Sequence, residues 1–302
     1  VANNRLFVQS SQTELAGTEI GTYTDRMRDS VRGGRPFDSG EYIRINQGII
    51  NGLYTIPNAK QPADKNRATY LQSMDQTLAE HPIEHAAGQV VPGKDILYFG
   101  TFTGYAKDPA DVINYVAKHD NQTLWDNNQY RIAYHVSADD RVRMQLIALG
   151  YSVFAQGIPF IHMGSELLRS KSFLRDSYDY GDWFNAVDFS MQSNNYDKGL
   201  PPSVKDQDQW EVISELLVKN EGRDHVEPRH IKFSSEVFME QLKIRTGSPL
   251  FRLATAQEVV DRVKFHNTGT EQQTGIIAMS IDDSSQAVDL DENYESLFVV
   301  FN

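Results

Sequence analysis

The segment YVAKHDNQTLWD, residues 115–126, sets His119, Asp120, Asn121 and Gln122 directly after an apolar run. Val112, Ile113, Tyr115 and Val116 read as a buried strand, and a parallel sheet delivers its working side chains at the C-terminal ends of its strands. A carboxylate beside an imidazole at such an end can bind hydroxyl groups or orient a reacting centre. A solvated polar turn accounts for the same residues. A second apolar segment, GIPFIHMG (157–164), ends in Ser165 and Glu166, with Arg169 and Lys171 close behind. Some forty polar and aromatic residues follow, among them Asp182, Trp183, Phe184 and Asn185 in GDWFN. Loops that long inside a compact domain are functional or disordered.

The elements that must position these residues alternate along the chain. GTYTDRMRDSVRGG (21–34) reads as a helix with a capping box from Thr22 to Asp25, closed by Gly33 and Gly34. NQGIINGLYT (46–55) reads as a short strand. KNRATYLQSMDQTLAEH (65–81) reads as an amphipathic helix with Leu71, Met74 and Leu78 on one stripe. DVINYV (111–116) is the next strand. Ser137 and Asp140 cap a helix reaching Gln156, on which Val142, Leu146, Leu149 and Val153 hold helical spacing and form core. QWEVISELLVKN (209–220) and EVFMEQLKIR (236–245) are two further helices. Beyond TAQEVVDRV the period falls to two: Val263 and Phe265; Ile277, Met279 and Ile281; Leu297, Val299 and Phe301. That is the period of antiparallel strands. The fold class is therefore α/β, a βα series over 1–255 followed by an antiparallel β domain over 256–302.

The 302 residues can bury a substantial core, and 40% hydrophobic with 23% charged residues is ordinary for a globular protein. A net charge of -12 without any Lys/Arg-rich run argues against nucleic acid as a partner. The absence of cysteine excludes disulfides and thiolate chemistry. No stretch has the length of a membrane span, and the first residues carry no signal-peptide pattern. His135, His162 and the two histidines of EHPIEH lack a metal-ligand spacing.

These segments resemble a known family. YVAKHDNQTLWD is similar to the fourth conserved region of the α-amylase clan, in the form found in pullulanases and limit dextrinases. GIPFIHMGSELLRSKS resembles that clan's last barrel strand, through Gly157, Pro159, Gly164 and Glu166. IGTYTDRMRDSVRGG, SYDYGDWFNAVDFS and SPLFRLATAQEVVDRVKFHNTG match in the right order, so the resemblance covers nearly the whole chain. It implies the C-terminal part of a (β/α)8 TIM barrel followed by a truncated antiparallel β-sandwich. It also implies retaining hydrolysis of α-1,6-glucosidic bonds in pullulan, limit dextrins and related α-glucans such as maltooligosaccharides.

Such a reaction needs a nucleophilic carboxylate and a carboxylic acid. The motifs that carry them in the family, GFRFD and GEGWD, are absent from these 302 residues. The N-terminal half of the barrel is thus an expected partner, and the chain alone is expected to be inactive, and insoluble or oligomeric. By resemblance Asp120 is the third catalytic carboxylate, gripping sugar hydroxyls in the transition state, and His119 donates to a neighbouring hydroxyl. Asn121, Trp125, Glu166, Arg169, Asp182, Trp183 and Asn185 are further substrate-binding candidates. Trp125, Trp183 and Phe184 are read equally well as core, Glu166 with Arg169 and Lys171 as a loop salt bridge, and Asp182 and Asn185 as turn caps. Asp25 and Arg26 could line the cleft, though capping accounts for them. The resemblance allows calcium as a cofactor, but no oxygen-rich loop marks a site, and it favours a secreted or cell-surface protein. The alternative from another class is a non-catalytic half-barrel that binds α-glucan or is structural; a third is a piece that pairs with a separate chain.

Overall fold

A computed structural model describes residues 11–35, 37–58, 78–84, 87–98 and 100–302. Three short strands form the sheet that carries the HDN segment: β1 (Thr22–Tyr23), β2 (Val112–Asn114) and β3 (Ile158–Pro159), in that spatial order. All are parallel. Thr22 faces Val112 and Tyr23 faces Ile113, while Ile113 also pairs with Ile158 and Asn114 with Pro159. Parallel neighbours need crossover connections. Helix α1 (Asp25–Arg32) lies in the first, and α2 (Leu124–Arg131) and α3 (Ala138–Phe154) make the second. Met27 and Val31 of α1, Leu124 and Trp125 of α2, and Val142, Leu149 and Val153 of α3 share one apolar core.

Helix α3 follows its sequence closely. The Ser137 hydroxyl accepts the Asp140 N–H and donates to the Asp140 carboxylate, which satisfies one of the helix's free donors. Val142, Leu146, Leu149 and Val153 are all buried, as their spacing predicts. Arg141 is buried with them, which no apolar period announces. Its guanidinium donates to the carbonyls of Val136 and Ala133 and to the side-chain oxygens of Gln129 and Asn220. It thereby stitches α2 and α3 to α4 (Trp210–Asn220), and a buried charge is tolerated because its donors are used.

Two local expectations give way. Thr22 lies in β1 rather than in a capping box; its hydroxyl bonds Tyr105 Oη and the Asp111 carbonyl. Thr24 precedes α1 and forms no side-chain cap bond. The helix does end at Gly33, whose φ of +74° suits glycine. The second is NQGIINGLYT, which is no strand but a 3₁₀ turn over Ile49–Asn51 followed by turns. Gly33 and Gly48 meet back to back, so that a Cβ on Gly33 would lie 2.2 Å from the Gly48 nitrogen. Asn51 accepts the Gly48 N–H and donates to the Arg32 carbonyl, both at 2.7 Å. Side-chain bonds to the backbone have displaced the ladder that a strand would use. The helix expected over 65–81 lies outside the described residues apart from its end, where Leu78 is buried and bridges Ala106.

Past α5 (Pro228–Gly247) and α6 (Ala256–Arg262), β4 (Val263–Phe265), β5 (Ile277–Asp282) and β6 (Ser296–Phe301) form an antiparallel sheet with β5 in the centre. Ile281 pairs with Val263 and Leu297, and Met279 with Phe265 and Val299. The two-residue period thus sets one apolar face, which packs on Phe154, Leu250 and Phe251. Phe301 stacks on Tyr151 of α3, with centroids 4.0 Å apart. Among the described residues this is a single three-stranded sheet, not two layers.

Trp125 requires a correction as a binding candidate. It has no exposed surface and sits edge-on to Tyr196, so it has no ring face to offer a ligand. Trp125→Ala is expected to cost about 3–5 kcal/mol, read from the denaturation midpoint. A loss below about 1 kcal/mol would contradict its place in the core.

Candidate functional site

The chain leaving β2 stays buried through Ala117 and surfaces at Lys118. His119 and Asp120 then stand out side by side, their side chains 74% and 55% exposed, with His119 Nε2 3.4 Å from Asp120 Oδ1. The other carboxylate oxygen, Oδ2, takes an ion pair from Lys118 Nζ. This hydrogen bond holds the Asp120 carboxyl below the usual range. Asn121 adopts φ +65°, a left-handed conformation that asparagine tolerates better than most residues. The reversal lets the Thr123 hydroxyl accept the Asp126 N–H and cap α2. The strand ends in a polar tip because the next helix must start there.

Facing this turn is the segment after β3. Arg169 donates to His162 Nε2 at 3.1 Å, to the Met163 carbonyl, and to the carbonyl and Oδ1 of Asn185. Arginine can only donate, so His162 accepts there as a neutral ring. Burial, with Arg169, Lys171 and His119 nearby, pushes its pKa down to about 4. Lys171 is fully buried, and its ammonium donates to the carbonyls of Arg175 (3.2 Å) and His119 (3.5 Å). Leu168, Ser172 and Phe173 have φ of +56°, +48° and +68°. Non-glycine residues hold such angles only where the surroundings fix them. Here the buried Asp126 does so, accepting the Ser170 hydroxyl and the N–H groups of Lys171 (2.8 Å) and Phe173 (3.3 Å).

The structure sorts the other candidates. Arg169 belongs to the site but binds His162 and Asn185, so the salt bridge with Glu166 is not made. Glu166 is half-buried. Asp182 and Trp183 are exposed, Trp183 meeting Phe184 edge to face at 4.4 Å. Asn185 needs correction as a sugar ligand: Oδ1 accepts from Ser177 Oγ and Arg169, and Nδ2 donates to the carbonyls of Ser177 and Gly181. Its amide is spent on fastening the loop. Asp25 accepts from Tyr115 Oη and pairs with Arg28, while Arg26 lies over the Tyr105 ring.

Sequence reasoning passed over Lys118 and Tyr23, whose ring lies 5.6 Å from the Lys118 ammonium. Beside them opens a cleft of about 540 Å³ lined by Gln12, Thr22, Tyr23, Asp25, Arg28 and Tyr115. Lysine two residues before Asp120 was the available signal for the pair; nothing in the sequence placed Tyr23 against it. Among the described residues no three His, Asp or Glu side chains converge to hold a metal ion. Nor is any described helix long and apolar enough to cross a membrane.

Comparison with known proteins adds an independent line. Residues 191–302 match the family model of alpha-1,6-glucosidases, pullulanase-type, C-terminal. The chain is 46% identical over 288 residues to a pullulanase of Klebsiella aerogenes, covering 93% of this chain and 26% of that relative. It is 38% identical over 316 residues to Pullulanase 1, chloroplastic, of Arabidopsis thaliana, covering 100% of this chain and 32% of the relative. The maltotriose complex of PulA from Klebsiella pneumoniae superposes with a TM-score of 0.91 at 43% identity, over 96% of this chain and 32% of that one. The chain spans between a quarter and a third of the length of these two relatives.

The buried Lys171 yields a pH signature. Burial lowers its pKa from 10.5 to about 8. Between those values the unfolded state binds more protons than the folded one, so this group adds stability as pH rises through the window. The melting temperature of the wild type, relative to Lys171→Met, should therefore rise between pH 8 and pH 10.5. An unchanged difference would contradict a buried, partly desolvated ammonium.

Proposed function

We propose that this chain is a C-terminal part of a pullulanase-type debranching enzyme cleaving α-1,6-glucosidic bonds in pullulan and limit dextrins, a reading supported by its similarity to pullulanases. The observation that carries the reading is the pair His119 and Asp120, exposed at the C-terminal end of β2, with Asp120 kept ionised by Lys118. In this reading β1, β2 and β3 are the last strands of a (β/α)8 barrel, whose working residues stand at the C-terminal strand ends. Their parallel pairing through helical crossovers supports it. The sheet β4–β6 then begins the C-terminal β-sandwich, with the boundary near residues 255 and 256. Maltotriose, bound by the Klebsiella pneumoniae relative, represents the class of ligand.

The chemistry follows from what these residues can do. A retaining glycosidase places its nucleophile and acid about 5–5.5 Å apart across the scissile bond. Both roles go to residues outside these 302, in a preceding barrel half that would add to β1, whose outer edge is unpaired among the described residues. Asp120 has the task of accepting two hydroxyls of the sugar at the cleavage point. Those hydrogen bonds strengthen as the ring distorts and gains positive charge, so they favour the transition state over the ground state. His119 donates to an adjacent hydroxyl. Asp182 and the exposed ring of Trp183 offer a polar group and an apolar face for a further glucose unit, with Glu166 earlier in the segment after β3 and Asn121 in the HDN turn as further candidates.

Asp120→Asn in the complete protein keeps the shape but weakens the charge-assisted bonds. On pullulan kcat should fall on the order of 10²-fold or more with KM little changed. Wild-type kcat in that variant would defeat the assignment.

A further inference from the structure

We propose that Lys118 is a positioning residue for Asp120: its ammonium, seated on Tyr23 at the ends of the three parallel strands, fixes the carboxylate in the orientation that receives the sugar. This rests on the reading of Asp120 given above.

An ion pair two residues apart on a protein surface ordinarily contributes little. This one is built differently. The Lys118 side chain is only 19% exposed, against 55% for Asp120. Its ammonium lies 5.6 Å from the centroid of the Tyr23 ring, within range for a cation–π contact. Tyr23 is itself held edge-on by Tyr115 at 5.1 Å and by Phe160 at 5.3 Å. Tyr23 closes β1, Tyr115 follows β2 and Phe160 follows β3. Each strand of the parallel sheet therefore contributes one ring to the platform beneath the cation.

The carboxylate is held at Oδ2 by Lys118, and Oδ1 lies 3.4 Å from His119 Nε2. A carboxylate offers about four lone-pair positions, so positions remain for hydroxyl groups on the exposed side. Without the cation, Asp120 would rotate freely in solvent, and the protein would have to order it during the reaction. A preorganised charge avoids that reorganisation. Lys171, whose ammonium lies beneath the same turn on the His119 carbonyl, is the other cation facing Asp120. It is committed to backbone oxygens and does not replace Lys118.

The test uses the complete pullulan-hydrolysing protein. Lys118→Met retains the stem against Tyr23 and removes the charge, whereas Lys118→Arg retains the charge. Lys118→Met should lower kcat about tenfold, the loss of one charge-assisted hydrogen bond, with KM and melting temperature nearly unchanged. Lys118→Arg should restore most of the rate. In the Asp120→Asn background, adding Lys118→Met should cost less than about twofold, because the partner through which Lys118 acts is already impaired. If Lys118→Met lowers the melting temperature, Lys118→Gln carries the same comparison. Unchanged kcat in the Lys118 variants alongside collapse in Asp120→Asn would overturn this inference alone. Equal losses in both backgrounds would also overturn it, since Lys118 would then act independently of Asp120. Full activity in Asp120→Asn would remove the underlying reading as well.

Discussion

Asp126 has no exposed surface, and its two oxygens accept the Ser170 hydroxyl and the N–H groups of Lys171 and Phe173. A buried carboxylate is costly unless its lone pairs are used, and here they are used by one short stretch of chain. That stretch is the loop after β3, while Asp126 itself belongs to the first turn of α2. Two segments that would otherwise move independently are thus tied together: the HDN turn, just upstream of α2, and the left-handed run through Leu168, Ser172 and Phe173. Lys171 is carried with them, so that its ammonium comes to rest under the His119 carbonyl. This buried joint places the backbone of the HDN turn, while the Asp120 side chain is held by Lys118.

Charge is distributed to match. The chain has a net charge of -12, yet Asp120 faces Lys118, with Lys171 below. Lys118 keeps Asp120 ionised, and burial beside Arg169 keeps His162 neutral as an acceptor. In the proposed reading, an anion held ready by cations would bind hydroxyl groups of an uncharged polymer, for which an acidic protein is no obstacle.

Much of this was legible in the sequence wherever one force dominated. The stripe of Val142, Leu146, Leu149 and Val153 and the alternation through Ile277, Met279 and Ile281 report burial on one face, and both appear as read. The polar tip at His119 and Asp120 was visible because a strand stopped abruptly. What could not be read depended on partners distant in sequence. NQGIINGLYT looked like a strand until Gly33 met Gly48 and Asn51 took over the backbone groups. Trp125 was open between stacking surface and core because periodicity is silent about an aromatic in a polar helix. Asn185 was open between ligand and turn cap because nothing local revealed Ser177 and Arg169 as its partners. Lys118 was overlooked because its meaning lies in Tyr23, ninety-five positions earlier and on another strand.

The account stands on Asp120 and His119 meeting the sugar directly. The most direct measurement is a crystal structure of the complete protein with maltotriose bound at the strand ends. Sugar hydroxyls should lie within about 3.2 Å of an Asp120 carboxylate oxygen and of a His119 ring nitrogen, with Lys118 still paired to Oδ2. A maltotriose that fills the cleft while Asp120 points into solvent, untouched by any hydroxyl, would contradict it.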